Sequence, residues 1–452
     1  MSAPTPLPDG LVLSFYGDDF TGSTDAMEVL SLAGLPTVLF LRTPEPADLA
    51  RFLEARAVGI AGVSRSKPPA WMDEHLPAMF EALASLGAPL AHYKVCSTFD
   101  SSAQTGSIGR AIDVAQAVFR SPFVPVVVGA PALRRYVCFG NLFATVDGVP
   151  YRIDRHPTMS RHPVTPMGEA DLTRHLAAQT GRPIGLVDLL GLAGDPDLAL
   201  AQAREAGAEI VLIDVMDEVS LIEAGRLVWE SRDRPTFSAS SSGLQYALAA
   251  YWRSAGLLDP ALAPASVRPA DRIAVVSGSC SPVTARQIAW ASAHDFATLR
   301  LDPLALIDGE AERERAIAAG LAALSEGRSP VLYTASGPDD PSVGSFKAAA
   351  QTSGLGEDEA NARVGRALGD ILSAVLERTG LRRAIVAGGD TSGMCAGRLG
   401  IDALTMAAPT APGSPLCRGH APGRALDGIE IALKGGQVGG PDYFGAVRQG
   451  HA

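Results

Sequence analysis

The chain has 452 residues, 47% hydrophobic and 19% charged, too apolar for long disorder and too long for one ordinary core, so two domains are expected. Its formal net charge of -11 argues against a broad nucleic-acid interface, which needs clustered Lys and Arg. Cys96, Cys138, Cys280, Cys395 and Cys417 lie far apart with no C-x-x-C pair, which excludes a disulfide framework or a thiolate zinc site.

From the N-terminus, MSAPTPLPDG lacks the basic start and apolar run of a signal peptide, and no apolar stretch reaches membrane-spanning length. A cytoplasmic location and no membrane partner are therefore expected. Short apolar runs follow at Leu11 to Phe15, Thr37 to Leu41, Val58 to Val63, Val124 to Val128 and Ile210 to Ile213, each leading into a helix-like stretch. That rhythm predicts buried parallel strands with crossover helices.

The first run ends in Gly17-Asp18-Asp19-Phe20-Thr21-Gly22. In an open α/β sheet this strand end is where ligands bind. The paired carboxylates are suited to accept hydrogen bonds from substrate hydroxyls, to act as general base, or to hold Mg²⁺. The structural alternative is that Asp19 or Thr21 only caps the next helix. Two further polar strand ends follow. Val63-Ser64-Arg65-Ser66-Lys67 offers a guanidinium able to grip a carboxylate with two hydrogen bonds. Lys94-Val95-Cys96-Ser97-Thr98-Phe99-Asp100 packs an ammonium among hydroxyls, or else is a Ser/Thr turn before a helix. Three such ends in one half favour a pocket for a polyhydroxy acid.

The loop from Arg152 to Thr165 concentrates Arg152, Arg155 and Arg161 around His156 and His162, which lack helical ligand spacing and would sit among repelling cations. It reads as an anion-binding lid or an interface loop, not a metal site. The stretch SRDRPTFSASSSG and the Pro- and Ala-rich LLDPALAPASVRPAD then suggest a boundary. The expected division is an N-terminal domain over 1–235, a linker region over 236–271 and a C-terminal domain over 272–452.

The second half repeats the strand rhythm at Ile273 to Val276, Val331 to Tyr333 and Ala384 to Val386. Its turns are rich in Gly, Ser and Thr: Ser277 to Ser281, Gly388 to Gly393, and Lys434 to Gly440. Such turns expose consecutive backbone N–H groups and bind phosphate without much net positive charge. Gly also marks any tight turn, so the weight lies in having three in one half. Neither G-x-x-x-x-G-K-[ST] nor an opening G-x-G-x-x-G is present, which disfavours a P-loop or nicotinamide-binding domain.

Together GDDFTG, KVCSTFDSS, HPVTPM, SGSCSPVTARQ, GGDTSG and LKGGQVGGPDYF, in this order along nearly the whole chain, resemble the four-carbon acid sugar kinase family. The resemblance implies two α/β domains, each with a largely parallel sheet flanked by helices, and an active-site cleft between them. It also implies ATP-dependent phosphorylation of a terminal hydroxyl on a sugar acid, with Mg²⁺. Substrate contacts then fall on Asp18 or Asp19, Arg65, Lys94, Cys96, Ser97 and Thr98. Nucleotide contacts fall on Ser279 or Ser281, Gly388, Gly389, Asp390, Thr391 and Gly435, and Asp390 joins Asp18 and Asp19 as a candidate for catalysis. KVCSTFDSS departs from the K-x-D-S-T-x-R-G form of the threonate and erythronate kinases. That favours a 3-oxo acid, 3-oxo-tetronate or the branched 3-oxo-isoapionate, over D-threonate or D-erythronate. The expected partners are the acid and ATP, with a homodimer left open. A metal-dependent phosphatase and a non-enzymatic sugar-acid sensor are the competing readings.

Overall fold

The computed structural model describes residues 3–146, 148–162, 164–232, 235–259, 266–352 and 354–450. They form two compact units, an N-terminal one and a C-terminal one that also takes in Leu39–Arg42.

In chain order the strands up to residue 240 are β1 (Leu13–Gly17), β2 (Thr37–Phe40), β3 (Ala57–Ala61), β4 (Leu90–Lys94), β5 (Val124–Val127), β6 (Arg135–Cys138), β7 (Asn141–Val146), β8 (Val149–Arg152), β9 (Ile184–Val187), β10 (Ile210–Ile213) and β11 (Thr236–Ser240). The main sheet of the N-terminal unit runs β11-β4-β1-β3-β2. All five residues of β1 and of β4 are buried, as expected for parallel strands covered on both faces. Gly17 stands level with Ala61 on β3 and Lys94 on β4, and Lys94 is level with Ser240 on β11. This register brings the loops after β1, β3 and β4 to one edge.

Two expectations are corrected here. The Val124 and Ile210 runs do form parallel strands, but in a separate sheet ordered β5-β10-β9, while β6-β7-β8 is an antiparallel meander. The stretch 236–271 is not all linker: β11 pairs with β4, and the helix Gly243–Ser254 follows it. Phe237 packs against Phe80 and Phe119, while the intervening serines are satisfied by β5: Ser238 Oγ donates to the Pro125 carbonyl and Ser240 Oγ accepts from Val127 N, both at 2.8 Å. Residues 260–265 of the expected linker lie outside the described residues.

His92 of β4 is fully buried, with Nε2 at 2.9 Å from the Ser240 carbonyl and Nδ1 at 2.7 Å from Gln245 Nε2. Burial lowers it to about 3. Because the unfolded chain takes up this proton first, the stability His92 provides is present above its ordinary value near 6.5 and is lost as pH falls toward 3. Between pH 7.5 and 5 the loss is about 2 kcal/mol. Unfolding followed at both pH values checks this: His92→Gln is expected to lose less stability than the parent over that interval by about that amount.

The C-terminal unit holds β12 (Ala274–Ser277), β13 (Phe296–Arg300), β14 (Ser329–Tyr333), β15 (Arg383–Ala387), β16 (Ala403–Ala411), β17 (Ser414–His420) and β18 (Ile429–Lys434). Their order is β16-β17-β18-β15-β12-β14-β13, parallel from β18 to β13 and antiparallel across β16, β17 and β18. Val275, Val331, Ile385, Ala432 and Phe444 lie in its core. Ser277, Ala387 and Lys434 stand level, so the three Gly-bearing turns also leave from one edge. Among the described residues no helix is long and apolar enough to cross a membrane.

Candidate active site

Asp18 continues β1 and is tied to both neighbouring strand ends: its N–H donates to the Lys94 carbonyl at 2.8 Å, and its carbonyl accepts from Arg65 N at 3.0 Å. These bonds place Arg65 against the carboxylates. Nε donates to Asp18 Oδ2 at 3.1 Å, and Nη2 donates to Asp18 Oδ1 and Asp19 Oδ1, both at 2.7 Å. Its Nη1 donates no hydrogen bond among the described residues.

The two carboxylates have separate tasks. Asp19 caps the helix Phe20–Leu32, accepting from Gly22 N at 2.9 Å and Thr21 Oγ1 at 2.8 Å. Asp18 is 3% exposed and accepts one hydrogen bond per oxygen, which leaves each oxygen a lone pair. Burial pushes its carboxyl up to about 6, although Arg65 pulls the other way.

Lys94, almost wholly buried, donates to the Val95 carbonyl at 2.9 Å and stands 3.6 Å from Asp25 Oδ2. Gly22 sits where the cations converge: a Cβ there would stand 3.1 Å from Lys94 Nζ and 3.4 Å from Arg65 Nη2. In the next loop Thr98 Oγ1 lies 2.9 Å from Cys96 Sγ and 2.5 Å from Asp100 Oδ1. Burial pushes the Cys96 thiol up, so it stays neutral, and half-buried Ser97 lies beside it. Burial also works to raise Asp100, but Arg65, Thr98 and Thr165 outweigh it and hold its carboxyl below the usual range.

The Arg152 to Thr165 loop folds onto this turn. Thr165 Oγ1 donates to Asp100 Oδ2 at 3.1 Å, and His162 Nδ1 accepts from Thr165 N at 3.1 Å. Arg152 is held by Asp154, and His156 Nδ1 accepts from Thr158 N and Met159 N. Pro163 lies outside the described residues.

In the C-terminal unit Ser277 to Ser281 leads into the helix Pro282–Ser292, capped by the Ser281 hydroxyl, and Gly388 leads into the helix Gly389–Arg398. Gly278 N donates to the Ala387 carbonyl at 3.0 Å and Gly388 N to the Lys434 carbonyl at 2.9 Å, lacing the three turns together. A Cβ on Gly436 would stand 2.9 Å from Ser279 Oγ, so the third turn lies directly on the first. Two helix N-termini and the turn after β18 thus come together around Ser279, Ser281, Gly388 to Thr391 and Gly435, and helix N-termini are places that attract anions. Asp390 is exposed in the first turn of its helix.

The reading of the sequence missed Asp25, Asp100, Thr165, Thr284 and Lys434. Asp100 and Lys434 stood inside motifs already singled out, and the signal overlooked was a charge placed where a strand end is buried. Two cavities lie elsewhere among the described residues: one of about 500 Å³ beside Val29, Tyr246 and Arg253, and one of about 510 Å³ beside Arg300 and Arg315. The first is lined mainly by apolar side chains, and in the second Arg315 is held by Glu312.

Comparison with known proteins agrees with this division. Residues 13–248 match the model of a sugar-binding N-terminal domain and residues 274–444 that of a nucleotide-binding C-terminal domain. A 3-oxo-isoapionate kinase of Paraburkholderia graminis is 56% identical over 99% of this chain and 96% of its own. A 3-oxo-tetronate kinase of Methylobacterium radiotolerans is 34% identical over 96% and 98%. A crystal structure of a Salmonella typhimurium protein, 26% identical, superposes with a TM-score of 0.79 over 97% of this chain and 99% of that one. The carboxylate and guanidinium cluster on one unit, the Gly-bearing turns on the other and this likeness along the whole length have one explanation: the chain belongs to the four-carbon acid sugar kinase family.

Proposed function

We propose that the protein phosphorylates a hydroxyl of a 3-oxo sugar acid with ATP, and that the branched acid 3-oxo-isoapionate is its substrate. The observation that carries this is the level register of β1, β3 and β4, which sets Asp18 against Arg65 with Lys94 nearby. The unused Nη1 of Arg65 and the Lys94 ammonium grip the acid's carboxylate. Asp18, raised toward neutrality yet ionised at pH 7, accepts the proton of the attacking hydroxyl. The hydroxyl oxygen bonds to the γ-phosphorus, the bond to the bridging oxygen breaks and ADP leaves, so positioning and charge stabilisation supply most of the catalysis. The 56% identity to a 3-oxo-isoapionate kinase supports the branched acid over 3-oxo-tetronate.

ATP contacts fall on Ser279, Ser281, Gly388 to Thr391 and Gly435. Among the described residues no cluster of three or more His, Cys, Asp or Glu forms a metal cage. Mg²⁺ takes most of its ligands from phosphate and water, and Asp390, exposed in the first turn of its helix, would hold the ion or its water shell. When bound, the ion neutralises charge on the phosphates.

ADP release from Mg-ATP is the test, run with 3-oxo-isoapionate, 3-oxo-tetronates, and the erythronates and threonates. Turnover is expected with 3-oxo-isoapionate at a kcat/KM at least about tenfold above the rest. Turnover with another acid replaces the substrate, and phosphate ester hydrolysis without ATP replaces the reaction.

A further inference from the structure

Lys434, the last residue of β18, is 0% exposed, and its Nζ makes one hydrogen bond among the described residues, to Thr284 Oγ1 at 3.1 Å. Among the described residues no carboxylate pairs with it. An ammonium buried without an anion is costly and is kept where a ligand supplies the missing charge. The bond it makes leads toward the turns already described. Thr284 Oγ1 lies 3.1 Å from Ser279 Oγ and 3.0 Å from the Gly436 carbonyl. Ser279 Oγ in turn accepts from Ser281 N at 3.2 Å and from Thr284 Oγ1, and its own hydrogen goes to no acceptor among the described residues.

We infer that Lys434 is the buried cation of the nucleotide site, polarising Thr284 and through it Ser279, whose hydroxyl then donates to a phosphate oxygen of the bound nucleotide. This rests on the C-terminal turns being the nucleotide site. Lys434 is a positioning residue in this scheme: it touches no ligand, and its charge reaches the phosphate along a chain of hydroxyls in which each donor strengthens the next. Thr284 Oγ1 has one hydrogen and two acceptors in reach, Ser279 Oγ and the Gly436 carbonyl, and the relay uses the first.

Burial by itself lowers Lys434 to about 8. Among the described residues no charged side chain contributes, and Tyr443, whose ring lies 6.0 Å away, directs its hydroxyl to Ser414. A polyanion arriving nearby raises that value, so nucleotide binding above pH 8 draws in a proton.

The test is calorimetry of ADP binding to the full chain at pH 8.5, in buffers of different ionisation enthalpy. The parent protein is expected to take up roughly half a proton per ADP. Lys434→Met is expected to weaken ADP at least about tenfold and to abolish the uptake, while Lys434→Arg recovers affinity without uptake because a guanidinium does not titrate there. Thr284→Val, close in volume, keeps the ammonium but breaks the relay and is expected to weaken ADP about as much. Undiminished affinity in either Lys434→Met or Thr284→Val overturns the relay, as does unchanged proton uptake in Lys434→Met. Failure of the parent to bind ADP at all would instead overturn the nucleotide-site reading.

Discussion

Asp18→Asn is expected to lower kcat by about 10²- to 10⁴-fold while leaving the affinity for ADP unchanged, because it removes a proton acceptor and alters nothing in the C-terminal turns. The amide has the same shape and one oxygen can still accept from Arg65, so the loop after β1 keeps its path between the Lys94 carbonyl and Arg65 N. What disappears is basicity. The sign of the pH dependence is set by the raised carboxyl: ionised Asp18 is the working form, so kcat/KM of the parent rises as pH climbs through about 6 and then levels. In Asp18→Asn that limb is expected to vanish from the residual rate. Arg65 keeps Asp19 as a partner, but half of its ion pairing is lost, so the melting temperature is also expected to fall. Thermal unfolding beside the kinetics separates the two effects. If Asp19→Asn instead removes the limb and Asp18→Asn turns over at the parent rate, the base is Asp19, and the helix-capping role assigned to it is incomplete.

The strand ends were legible because each chemical motif follows a short, mostly apolar run, and a parallel register then has little freedom except to set those ends side by side. Asp18, Arg65 and Lys94 met in this way, as did Ser279, Gly388 and Gly435 on the other unit. The sheet to which each strand belongs was less legible. Apolar runs such as Val124 to Val127 and Ile210 to Ile213 look alike in either sheet, and only tertiary packing assigns them. β11 was hidden for another reason. Its serines suggest a loop until their hydroxyls are seen to be satisfied by the backbone of β5, a partner more than a hundred residues away. Lys434 was hidden in the same sense: a lysine beside two glycines reads as a solvated turn, and only its burial makes its charge significant.

Gly388→Ala is expected to raise the KM for ATP at least about tenfold and to leave the KM for the acid near the parent value. Gly388 has φ 127° and ψ 130°, a region that residues with a Cβ scarcely visit, at a cost of about 1 to 3 kcal/mol. The new Cβ would also stand 2.9 Å from Thr391 Oγ1 and 3.5 Å from Ser279 N, so the strain cannot be relieved by drawing toward either turn. Relief requires rotating the peptide that carries Gly388 N, which donates to the Lys434 carbonyl at 2.9 Å and fixes the start of the helix Gly389–Arg398. The first N–H groups of that helix would then turn away from the turns at Ser279 and Gly435 beside it, and the free donors of a helix N-terminus are what favours an anion there. Gly389 is the built-in control: a Cβ there meets nothing within 4 Å and its φ lies outside the strained range, so Gly389→Ala is expected to change stability little. Steady-state kinetics with each substrate varied in turn, together with melting curves for both variants, decide the matter. Equal loss in the KM for both substrates in Gly388→Ala would mean general unfolding, whereas an unchanged KM for ATP would remove this turn from the nucleotide site.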